Sequence, residues 1–73
     1  MITVKCFARY RALLGFSDLQ VPAAPTLGEL LADPCFQALP KDALLAVNQA
    51  FADRTAPIHD GDEVALMPPV SGG

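Results

Sequence analysis

Few residues in this chain have the type and spacing for chemistry, and the pair that stands out is Gly72-Gly73 at its end, reached through Pro68-Pro69-Val70-Ser71. Without a Cβ, a terminal glycine leaves its carboxylate open to approach from every side, and its backbone enters channels too narrow for any other residue. The end of the chain is therefore expected to be its reactive group. Since a chance Gly-Gly pair should close roughly one chain in 200, the residues before it must carry the reading. The other candidate cluster is His59 with Asp60, Asp62 and Glu63. A turn needs such solvated carboxylates anyway, and one histidine without spaced ligands makes no metal site, so these residues are assigned to a turn and no metal is expected. Cys6 and Cys35 have neither metal spacing nor a redox motif and read as small buried hydrophobes rather than a disulfide. There is no Gly-rich phosphate loop, zinc pattern or nucleophile elbow.

Composition limits what could surround that end. Seventy-three residues make one small domain, whose core is limited to one sheet and one or two helices, with no deep catalytic cleft. Hydrophobic residues are 52% and charged residues 18%, which excludes disorder and leaves apolar surface for a partner. Five Lys and Arg against eight acids give a net charge of −3, which argues against nucleic acid. Lys5, Arg9 and Arg11 precede every acid in the chain. No signal peptide and no apolar run of membrane-spanning length is present, so a cytoplasmic protein that binds no membrane is expected.

Ile2, Val4, Cys6 and Ala8 alternate with Thr3, Lys5, Phe7 and Arg9, the period of a strand with one buried face. A helical turn over Arg11 to Leu14 should end at a left-handed Gly15, and Leu19 to Val21 should pair antiparallel with the first strand before Pro22 stops it. Thr26-Leu27-Gly28-Glu29 matches a capping box and predicts a helix with Leu27, Leu30 and Leu31 on its inner face. Pro34 ends that helix or restarts it with Asp33 as a new cap, and Pro40 closes the segment. Ala43 to Val47 predicts a strand, Asn48-Gln49 a hairpin turn, Ala50 and Phe51 the return strand. Asp60-Gly61-Asp62 is a turn into a last strand, Glu63 to Met67. The order β-β-α-β-β-β indicates α+β, a sheet with one main helix on one face.

Pro68 and Pro69 cannot donate to a ladder and favour extended geometry. The chain therefore divides into a domain over 1–67 and a tail over 68–73, expected to project as a semi-rigid finger of roughly 20 Å. Such a domain suits insertion of its own end, Pro68 to Gly73, into the active site of another protein.

Phe7-Ala8, Arg11, Leu13, Gly15, then Ala46-Val47-Asn48-Gln49, Asp60-Gly61-Asp62-Glu63-Val64-Ala65 and the Pro68-Pro69-Val70-Ser71-Gly72-Gly73 ending resemble the MoaD family, the small sulfur-carrying subunits of molybdopterin synthase. The likeness spans the chain and is tightest over its last fourteen residues; between Pro22 and Asp42 this chain looks shorter and more interrupted by proline. The resemblance implies a ubiquitin-like β-grasp with a mixed sheet. It implies that a MoeB-like enzyme adenylates the Gly73 carboxylate with ATP, that a sulfur donor converts the adenylate to a thiocarboxylate, and that a MoaE-like large subunit, in a heterotetramer, takes the sulfur for a cyclic pterin precursor. A carboxylate is a poor electrophile until it carries a good leaving group, so this order is chemically sensible. The chain would bind no cofactor itself, and the catalytic side chains would belong to partners.

In a β-grasp the first and last strands are neighbours. If Ile2, Val4, Cys6, Val64 and Leu66 face the helix, Phe7 and Met67 share the open face, with Phe51 beside them and Arg11 as a charged rim. These four are the expected partner-binding residues; the competing reading has Phe7 or Phe51 filling the small core. Two further functions share parts of the pattern: a ThiS-type sulfur carrier for thiamin, and a ubiquitin-like modifier of lysines.

Overall fold

The computed structural model describes residues 1–69. Ile2–Cys6 forms β1, with Ile2, Val4 and Cys6 buried and Thr3 and Lys5 half-exposed, as the alternation requires. The strand stops at Cys6 rather than continuing to Ala8. Phe7 still donates its N–H to the Leu66 carbonyl at 3.1 Å, but Ala8 takes φ +54°, a left-handed turn that an extended strand cannot accommodate. The chain then enters α1, Tyr10–Leu14, and leaves it through Gly15 at φ +85°, whose N–H donates to the Arg11 carbonyl at 3.0 Å. Tyr10, not foreseen as a core residue, is fully buried, and its hydroxyl has no hydrogen-bond partner among the described residues.

β2, Asp18–Val21, runs antiparallel to β1, with Val4 opposite Leu19. α2 spans Leu27–Leu31; the Thr26 hydroxyl accepts from the Glu29 N–H at 3.2 Å, and Leu27, Leu30 and Leu31 are buried. The expected main helix is thus only five residues long. Pro34 restarts the chain as a 3-10 turn, Pro34–Phe36, capped by Asp33, whose carboxylate accepts from the Cys35 N–H at 3.0 Å. That geometry turns Phe36 inward and leaves Cys35 exposed, so only Cys6 is the buried cysteine expected. Loss of hydration and the nearby Asp33 push the Cys35 thiol up to about 11, and burial raises that of Cys6.

β3, Leu44–Val47, and β4, Ala50–Ala52, form a hairpin through Asn48 and Gln49, both at positive φ (+50° and +71°). β5, Glu63–Met67, lies parallel to β1 and antiparallel to β3. The five-stranded sheet has the order β2-β1-β5-β3-β4. One face, bearing Ile2, Val4, Cys6, Val64, Leu66 and Leu45, packs on Tyr10, the leucines of α2, Phe36 and Ile58 to make the core. Helices cover that face alone.

Candidate functional site

The site is built on the opposite face. Register places Lys5 and Ala46 across from Ala65, Phe51 across from Ala46, and Leu44 across from Met67. Period-two alternation then sets all of these on the side away from the helices. Phe7, held to β5 by its bond to Leu66, keeps the outward direction of its strand. Together Phe7, Phe51 and Met67 wall a depression of about 410 Å³ floored by Ala46 and Ala65 and edged by Lys5, Gln49 and Glu63. Phe51 is 78% and Phe7 45% exposed, whereas Ala46 beneath them is only 5% exposed. Neither phenylalanine fills the core. Exposed aromatic side chains around a floor of small residues form a concavity that accepts a protruding apolar group.

The polar edge is organised by side chains far apart in sequence. Lys5 Nζ lies 3.4 Å from Glu63 Oε1, a surface pair that orients more than it stabilises. Asn48 donates through Nδ2 to Asp62 at 3.0 Å and accepts at Oδ1 from the Glu63 N–H at 3.0 Å. Asp62 also accepts from the His59 N–H at 2.8 Å. The Asn48 bond first, and then the His59 N–H, hold the Asp62 carboxyl below its ordinary range. This network ties the hairpin turn to the start of β5 and so fixes one end of the depression. His59, Asp60 and Asp62 serve a turn closed by Gly61 at φ +92°. Among the described residues no group of three or more His, Cys, Asp or Glu could hold a metal ion.

Arg11 is exposed on α1 with its Nε 3.4 Å from the Ala8 carbonyl, and it does not line the depression. Lys5 supplies the cation there. Lys5, Gln49, Glu63, Ala46 and Ala65 were not singled out as site residues from sequence; the same alternation that put Met67 outside also puts Ala65 and Lys5 there. Pro68 and Pro69 follow β5 outside any strand and are half-buried. Val70, Ser71, Gly72 and Gly73 lie outside the described residues.

A sheet with one bare apolar face, whose last strand leads straight into Pro-Pro-Val-Ser-Gly-Gly, can now be set beside known proteins. The ThiS family model matches residues 4–73. The chain belongs to the ThiS family. Its ThiS-family relatives include the molybdopterin synthase sulfur carrier subunit of Escherichia coli (strain K12), 42% identical over 81 residues that cover 100% of both chains. Among solved structures, this ThiS-family fold is similar to one described as the protein-protein complex of subunits 1 and 2 of molybdopterin-converting factor from Helicobacter pylori 26695. There the TM-score is 0.70 with 26% identity, over 99% of this chain and 97% of that one. The small archaeal modifier protein 1 of H. volcanii is similar with a TM-score of 0.76 over 94% of this chain and 97% of its own; at 24% identity it speaks for the ubiquitin-like β-grasp alone. Among the described residues, no helix is long and apolar enough to cross a membrane.

Proposed function

We propose that this chain is the sulfur-carrier subunit of a molybdopterin synthase. The observation that carries the reading is the juxtaposition of an exposed apolar face with the strand that leads into the Gly-Gly end: β5 supplies both Met67 and the root of Pro68 to Gly73. The full-length likeness to the E. coli sulfur carrier subunit supports it. In this reading the Gly73 carboxylate attacks the α-phosphorus of ATP on a MoeB-like enzyme and pyrophosphate leaves. Hydrosulfide, as the sulfur donor, then attacks the acyl carbon and AMP leaves, giving the thiocarboxylate. The tail enters a MoaE-like large subunit, where the sulfur passes to a cyclic pterin precursor. Phe7, Phe51 and Met67 dock the domain, Pro68 to Gly73 occupy the partner channel, and the large subunit supplies the catalytic side chains in a cytoplasmic heterotetramer. ATP is used by the activating enzyme; the carrier itself holds no cofactor.

Intact-mass spectrometry after incubation with the cognate activating enzyme, ATP and a sulfur donor tests the reading. Replacement of one terminal oxygen by sulfur, followed by formation of the pterin dithiolene with the large subunit, is expected. Unmodified protein would defeat the carrier assignment. A thiocarboxylate that supports thiamin but not pterin synthesis would move the chain to the thiamin pathway, and isopeptide conjugates to lysines would make it a modifier. Deleting Gly73 should abolish transfer.

A further inference from the structure

A second concavity, about 530 Å³ in volume, opens where β3 begins and β4 ends. Lys41, Arg54, Asp53 and Thr55 form its polar lining, and Leu44 and Ala52 contribute to its apolar side. Lys41 and Arg54 are the only Lys or Arg residues beyond Arg11, and both are here. Among the described residues neither lies within ion-pair distance of a carboxylate. The single acid in the lining, Asp53, is already engaged. Its Oδ1 accepts from the Thr55 hydroxyl and from the Thr55 N–H at 2.9 Å, and these bonds hold its carboxyl below the ordinary range. Two cations therefore face one carboxylate whose Oδ1 is committed to its own loop.

The position of Arg54 is built in. Its carbonyl accepts from the Gly28 N–H at 2.8 Å, and a Cβ at position 28 would stand 2.9 Å from that oxygen, so only glycine lets α2 press this closely on the loop. A side chain rooted on a fixed backbone loses less freedom on binding. The concavity also adjoins the docking face, because Leu44 pairs directly with Met67, the residue before Pro68.

We propose that this pocket receives an acidic, partly apolar segment of the large subunit that takes up the tail, with a carboxylate between Lys41 and Arg54 and an apolar side chain against the apolar part of the lining. The inference rests on the tail-transfer reading above. A chain of net charge −3 repels an acidic partner over most of its surface. A local cationic pocket beside the tail root therefore sets orientation and register as well as affinity. The apolar depression holds the partner against the sheet, and the charged pocket fixes which way round it sits.

Full-length protein carrying both Lys41→Glu and Arg54→Glu, titrated calorimetrically against the cognate large subunit and activating enzyme at low and high salt, provides the test. Binding to the large subunit should weaken about tenfold or more at low salt, with the salt dependence of that complex flattened. Lys41→Glu alone, at an exposed position, keeps the test valid if the double variant melts early, and should weaken binding in the same direction. Large-subunit affinity within about twofold of wild type, with wild type binding normally, would overturn the pocket assignment alone, whether or not the activating enzyme is affected. Wild-type protein that binds neither partner would instead remove the tail-transfer reading, and this inference with it. A concentration-dependent dimer abolished by Lys41→Glu, with partner affinity unchanged, would reassign the pocket to a second copy and overturn the proposal.

Discussion

On the inner face of the sheet Ile2, Val4, Val64 and Leu66 have 0% exposure, whereas one position along the same strands Ala65 and Met67 stay half-exposed and Phe7 reaches 45%. Both faces are apolar at their centres, yet only one is covered. The covered face is closed by Tyr10, α2 and Phe36 and carries the stability of the domain. Among the described residues no element covers the bare face, although Ala46 is already nearly buried at 5%. A sequence of period two can thus divide the labour of folding and binding between alternate residues of the same strands.

The largest expected effect lies on the covered side. Leu66→Ala should cost about 2–5 kcal/mol in folding, since it empties a fully buried position in a small core, and the variant should melt well below wild type. Phe7→Ala and Met67→Ala should leave the denaturant midpoint nearly unchanged while weakening large-subunit binding by about 2 kcal/mol each, as anchors at the centre of an interface do. Paired melts and calorimetric titrations of the three variants would break the comparison if Phe7→Ala unfolded the domain as readily as Leu66→Ala.

Much of this division is legible in the sequence. The alternation of Ile2, Val4 and Cys6 with Thr3 and Lys5 fixed the inner and outer faces of β1, and Val64 and Leu66 did the same for β5, so Phe7 and Met67 fell on the open side. The turns were legible because their geometry demands particular residues: Gly15 and Gly61 at positive φ, and Asn48 ahead of β4. What local pattern could not carry was long-range pairing. Local pattern gives Asn48 only its backbone tolerance, whereas its amide reaches Asp62 and the Glu63 N–H across fourteen and fifteen residues. The left-handed Ala8 that ends β1 early has no sequence signal, since alanine seldom adopts that conformation. The resemblance makes Arg11 a charged rim, but it does not line the depression, where Lys5 supplies the charge. Its type alone puts Cys35 inside, yet the Asp33 cap and Pro34 turn Phe36 inward in its place.

Gln49 sharpens the comparison at smaller scale. It sits at φ +71° in a two-residue hairpin turn where glycine is preferred, and its side chain edges the docking depression. Gln49→Gly should raise stability by about 0.5–1 kcal/mol by relieving the strained conformation, while weakening partner binding slightly. A melt showing no gain would mean that contacts of the Gln49 side chain already offset the strain.

The smallest expected effect concerns the network behind the polar edge. The Asp62 carboxyl is held below its ordinary value of 3.8, chiefly by the Asn48 amide and then by the His59 N–H. A carboxyl with a lowered folded value binds its proton less readily folded than unfolded. The stability it contributes is therefore complete above the unfolded value near 3.8, and is lost as pH falls from there through the folded value. Thermal midpoints should be level from neutral pH down to about 5 and decline below about 4. Asn48→Ala removes the largest cause of the shift, so its midpoint should be lower at neutral pH and fall less steeply in acid, because less remains to be lost. Asp33 and Asp53 are also lowered, by bonds from Cys35 and Thr55, and keep part of the acid decline in any Asp62 or Asn48 variant. An acid limb of unchanged slope in Asn48→Ala would show that the Asn48 amide does not hold the Asp62 carboxyl down.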